Sequence, residues 1–166
     1  PVTHQYPANG TLDSVTEERV KALASFGFTE RQCQFLVAVM VHAGCFLERQ
    51  YCAFTGTARG QNSRDFVGRL VSRGFARAVE PGPVRRGRLY HVHYRPLYEA
   101  IGLADNRNRR LLTVGRMVER VMILDAVLGD RHYWWLSPEP DKRRFFALMR
   151  DNYLRPEDYP HIAFGT

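Results

Sequence analysis

Hydrophobic and polar positions along this chain keep two rhythms, and the change between them falls near Phe75. From Asp13 to Gly74 apolar residues recur at steps of three and four, the spacing that gathers them on one face of a helix. Asp13-Ser-Val-Thr16 opens the first run. Val15, Val20, Leu23 and Ala24 make its apolar face, Glu17 and Glu18 occupy the first turn where carboxylates favour the helix dipole, and Gly27 ends it. Thr29-Glu-Arg-Gln32 has the capping-box form, with Thr at the N-cap and Gln three residues on. A strongly apolar helix through Phe35, Leu36, Val39 and Met40 follows and stops at Gly44. Leu47 to Phe54 reads as a shorter helix and Thr55 to Gly60 as a turn. Asn62-Ser-Arg-Asp65 then starts a third helix with Phe66, Leu70 and Val71 on one face. Gly74 stands where a left-handed C-cap belongs.

The period then shortens to two. Phe75 to Glu80 is a strand, Pro81 to Gly87 a Pro/Gly loop with two arginines at its tip, and Arg88 to Tyr94 (RLYHVHY) the return strand of a β-hairpin. Arg95 to Ile101 reads as a short helix and residues 102–110 as a polar, basic linker. Thr113 to Leu128 is the clearest long helix, with Val114, Met117, Val118, Val121, Leu124 and Leu128 in register. Trp134-Trp-Leu136 is an apolar knot, and Glu139 to Asn152 a last helix. Residues 1–12 have no periodicity and read as a flexible arm. The expected fold class is mainly α with a small β-hairpin.

Charge adds the first functional hint. The formal net charge is +7, and lysine occurs only at Lys21 and Lys142, so the excess is arginine. The planar arginine fork suits bidentate contact with phosphate. A basic domain points to nucleic acid before an anionic membrane. Cys33, Cys45 and Cys52 form no CxxC pair, which argues against a disulfide framework or zinc ribbon and suits a reducing cytoplasm. No apolar run approaches the ~18 residues that span a bilayer. There is no Gly-rich phosphate loop after a strand and no serine nucleophile elbow; no cofactor is expected and no small-molecule ligand is evident.

The order helix, helix, helix, strand, basic loop, strand is that of a winged helix-turn-helix, here residues 13–102, with a C-terminal helical extension over 103–166. In that arrangement the third helix enters a major groove and the hairpin loop reaches neighbouring phosphates. Its polar side carries Gln61, Asn62, Ser63, Arg64, Arg69 and Arg73; Arg59 lies in the approaching turn, and Arg85, Arg86 and Arg88 lie in the wing. Gln and Asn pair with adenine edges, Arg with guanine or phosphate. These ten residues are the expected contacts to double-stranded DNA.

Residues 29–94 resemble a bacterial winged-helix DNA-binding domain. The segments GFTERQCQFLVAVMVHAG, FVGRLVSRGFARAV and RRGRLYHVHYRPLYEAIG are similar to the replication-relaxation type of plasmids and other mobile elements, in which a Leu…Arg-Gly-Phe helix end leads into the hairpin. The resemblance lies within roughly the first two thirds of the chain and implies DNA binding in plasmid replication or transfer. The connecting stretch TGTARGQ is longer than a tight helix-turn-helix turn. Met122, Ile123 and Val127 widen the apolar face of the long helix, which either packs against its own domain or pairs with a second copy, as a homodimer that presents two reading helices to two half-sites.

Other chemistries compete for some of the same residues. His91 and His93 share a strand face, and with Tyr98 as nucleophile and His42 or Glu99 as third ligand they have the parts of an HUH-type metal nuclease or relaxase. That chemistry needs a larger sheet than one hairpin. His42, Cys45 and Cys52 have irregular spacing for zinc, and Glu139, Asp141 and Lys142 crowd one helix start where acids serve as caps. A winged helix that binds protein in place of DNA is the remaining alternative. It would be signalled by an exposed patch of Tyr133, Trp134 and Trp135.

Overall fold

The computed structural model describes residues 10–79, 87–130 and 134–149. Helix α1 spans Gly10–Ala24 and α2 Glu30–His42. Thr29 caps α2 as its sequence requires: its hydroxyl accepts the Gln32 amide, and the Gln32 side chain accepts the Thr29 amide at 3.2 Å. After the left-handed Gly44 come β1 (Cys45–Leu47), α3 (Glu48–Thr55), α4 (Gln61–Ser72), β2 (Ala76–Val79), β3 (Leu89–Val92) and α5 (Arg95–Ala100). A single 3-10 turn at Arg107–Arg109 leads to α6 (Val114–Gly129) and α7 (Glu139–Met149). The arm expected over residues 1–12 is shortened, because Gly10 already belongs to α1; residues 1–9 lie outside the described residues.

The described residues are mainly helical, with one antiparallel three-stranded sheet in the order β1-β3-β2. Strand β1 stands where the sequence pattern reads as loop and helix start. It pairs Cys45, Phe46 and Leu47 with His91, Tyr90 and Leu89. The order helix, strand, helix, helix, strand, strand with the return strand in the centre is winged helix-turn-helix topology.

Alternating side chains send the two sheet faces into different packing. On one face Phe46, Tyr90 and Val92 join a core built by Leu23, Phe35, Leu36, Met40, Phe66 and Leu70. Phe35 meets Phe46, Tyr51 and Phe66 edge-on, and Tyr51 stacks on Phe66 with centroids 4.1 Å apart. A lone hairpin would leave the second face wet. Instead Cys45, Leu47 and Leu89 pack against Met117 and Val121 of α6. Every residue of β3 is consequently buried, His91 included.

Polar joints fasten the extension to the rest. Asn108, 3% exposed, donates its Nδ2 to the Met40 and Val41 carbonyls at 3.0 Å each, closing the end of α2. Its Oδ1 accepts Arg120 at 2.9 Å, and its backbone carbonyl lies 3.2 Å from His91 Nε2. Gln50 donates to the Val121 carbonyl and to Asp125, which also accepts from both terminal guanidinium nitrogens of Arg49. Arg19 on α1 makes a two-pronged pair with Asp141 on α7 at 2.7 and 2.8 Å. No described helix is long and apolar enough to cross a membrane.

Candidate nucleic-acid interface

Helix α4 is posed by a buried carboxylate. Glu48 opens α3; its Oε1 accepts the Ser63 hydroxyl at 2.7 Å and its Oε2 accepts Arg59 Nε at 2.8 Å. The Ser63 hydroxyl in turn accepts the Gly60 amide at 3.2 Å, fastening the start of α4. Two of the residues expected on DNA are therefore structural. Ser63 is fully buried and cannot reach a base edge. Arg59 spends its charge on Glu48, although its outer surface is open. The partner that captures them lies 15 residues before Ser63 along the chain.

The exposed side of α4 keeps Gln61, Asn62, Arg64 and Arg69. A groove of about 890 Å³ runs between this side, the first turn of α2 and the α3–α4 turn, and Asn62, Arg64 and Arg69 line it. The groove also holds Arg31, Thr55 and Thr57, which the sequence does not mark for DNA. Arg31 is near the start of α2 and donates to the Phe54 carbonyl at 3.2 Å, which stretches its guanidinium along the groove wall. It is legible only once α2 and α4 are packed together. Arg69 donates to Gln32 Oε1 at 2.9 Å and lies over the Phe28 ring. Among the described residues of the groove, three arginines thus face one carboxylate, Asp65, which accepts Gln61 Nε2 at 2.6 Å.

The other expected contacts separate from this cluster. Arg73 folds back over the Phe75 ring at 4.6 Å and donates to the Phe26 carbonyl, so it serves packing behind α4. Arg88 is exposed at the root of the wing beside Tyr90. Arg85 and Arg86, at the wing tip, lie outside the described residues.

The histidine strand does not present a nuclease centre in this arrangement. His91 is 2% exposed, its ring faces Asn108, and its Nδ1 has no hydrogen-bond partner among the described residues. Burial holds its pKa down to about 4, with Arg77 and His93 pushing the same way. Tyr98, the candidate nucleophile, is fully buried and donates its hydroxyl to the Val92 carbonyl at 3.0 Å. Burial raises its pKa well above the usual phenol. Cys45 donates to the Met117 carbonyl and its thiol is pushed up to about 12 by burial. His42 Nδ1 pairs with the Ser137 hydroxyl at 2.7 Å. Among the described residues no three His, Cys, Asp or Glu side chains gather as a metal site. Asp141 and Glu139 are engaged by Arg19 and Arg143.

The element order and the sheet order β1-β3-β2 are those of a winged helix-turn-helix topology, followed by α6 and α7. No family model, curated protein or solved structure matches the chain.

Proposed function

We propose that this chain is a sequence-specific double-stranded DNA-binding protein. The observation that carries the reading is the groove on α4, where Asn62 and Arg64 stand at the helix start beside Arg31 and Arg69. Major-groove readers place the first turns of such a helix on base edges and use flanking cations for phosphates. Asn62 and Arg64 take the base-reading role. Arg31 and Arg69, with Arg85, Arg86 and Arg88 of the wing, take the phosphate role.

A homodimer fits this reading, because α6 leaves Val114, Met122 and Ile123 exposed, Met122 by 65%. The corresponding biological role is control of transcription or an accessory part in replication or transfer of a mobile element, in the cytoplasm. The nuclease alternative loses its argument with the burial of Tyr98, since an attacking hydroxyl must reach a phosphate.

Fluorescence anisotropy with a labelled duplex at several salt concentrations tests the proposal. Arg31→Ala and Arg85→Ala with Arg86→Ala should each lower the salt slope by about 0.9 for every phosphate left without its arginine. Asn62→Ala should reduce preference among sequences while leaving that slope in place. Slopes identical to the parent in all variants would refute the groove and wing as the DNA surface. The same samples with a divalent metal should leave the DNA uncut.

A further inference from the structure

A second cationic site lies away from α4, at the opposite end of α2. A cleft of about 750 Å³ opens between the loop after α5, the 3-10 turn, the middle of α6 and the start of α7. That volume is in the range of small-molecule sites. Arg107, Arg120 and Lys142 converge on it from three separate elements.

The charge balance of the lining is uneven. Glu99 and Glu139 also line the cleft, but each is held by an arginine four residues away on its own helix, Arg95 at 2.7 Å and Arg143 at 3.2 Å. Glu119, whose charge is felt at Arg120, is paired with Arg116 at 3.0 Å. Among the described residues none of Arg107, Arg120 and Lys142 has a carboxylate within salt-bridge distance. Asp105 is the remaining carboxylate of the lining. Arg120 is half-buried, held by Asn108 Oδ1 at 2.9 Å, and burial together with the charge of Arg107 disfavours its cationic form. Like charges gathered with so little compensation are stabilised by an anion that brings its own charge.

We propose that this cleft binds a small organic anion carrying at least two negative charges, as a phosphate ester or as paired carboxylates. Arg120 supplies the fixed fork, and Arg107 and Lys142 close on the anion from the rim. Arg120 is also joined through Asn108 to the end of α2 and to His91 in the centre of the sheet, so the occupied cleft clamps α6 to the winged-helix body. The site stands on this geometry alone and does not depend on DNA binding by α4.

Isothermal titration calorimetry on the full chain, in about 0.15 M salt to screen loose surface charge, tests it. The probes are inorganic pyrophosphate, adenosine diphosphate and citrate. At least one should bind saturably with one site per chain. Arg107→Gln with Lys142→Gln should weaken that binding by at least about tenfold, because two charge-assisted hydrogen bonds to the anion disappear. Arg64→Gln, on the α4 groove, should leave it unchanged. Pyrophosphate and adenosine diphosphate without citrate would define a phosphate site; citrate alone would define a carboxylate site. The proposal is overturned if no probe binds, or if the control variant weakens binding as much as the cleft variant.

Discussion

Asn108→Ala should destabilise the fold more than any exposed substitution, and the structure fixes how much. The wild-type side chain gives two hydrogen bonds of 3.0 Å to the last carbonyls of α2 and takes one of 2.9 Å from Arg120, all in a site 3% exposed. Alanine leaves the Met40 and Val41 carbonyls without that donor. A buried polar group stripped of its partner costs about 1–3 kcal/mol. Arg120 is less buried and can turn to water, so its contribution is small. For the two carbonyls together the cost is about 2–6 kcal/mol, a large share of the roughly 5–15 kcal/mol that keeps a typical domain folded. Urea unfolding followed by circular dichroism should show a lower midpoint with an unchanged slope. A midpoint shift equivalent to less than about 0.5 kcal/mol, the range of an ordinary surface change, would refute the claim that Asn108 is the joint between α2, the sheet and α6.

Two further outcomes follow from buried charge. His42 and His91 are both held down to about 4 from an ordinary 6.5, in each case mainly by burial, so the unfolded chain binds protons that the folded chain refuses. Stability is therefore greatest above pH 6.5 and should fall as pH drops toward 4, by up to about 3 kcal/mol for buried His91 and less for His42; a flat stability profile across that window, measured by chemical unfolding, would contradict the buried, neutral state of both rings. Glu48→Ala removes the acceptor shared by Ser63 and Arg59, and should cost about 1–3 kcal/mol and weaken DNA binding by misplacing α4. Full DNA affinity in a variant of reduced stability would show that α4 does not need this pin.

Local signals in the sequence foretell what is local in the structure. The Thr29 capping box, the glycines at 44 and 74 and the two strands of the hairpin stand where the pattern puts them; on α4 Phe66 and Leu70 are buried as expected, but Val71 is 41% exposed and Val67 is buried in its place. Strand β1 escapes the pattern because Cys45-Phe-Leu47 is short and buried on both faces, so it has no alternation to read. The second burial comes from α6, some 70 residues on, whose Met117 carbonyl accepts Cys45. The same covering places His91, on the second face of the sheet, in the core. At the candidate site, Asn62, Arg64 and Arg69 are legible as a polar helix face, whereas Ser63 and Arg59 mislead because Glu48 is remote in sequence. Arg31 stays hidden for the converse reason: its neighbours on the groove come from another helix.

Whether α4 reads base edges in double-stranded DNA is tested most directly by selection from a pool of randomised duplexes, run at low and at near-physiological salt. A base-reading α4 gives one enriched sequence motif that persists at the higher salt for the parent chain and is lost or altered in Asn62→Ala. Recovery of random sequence at both salts, with binding that simply vanishes as salt rises, would contradict it.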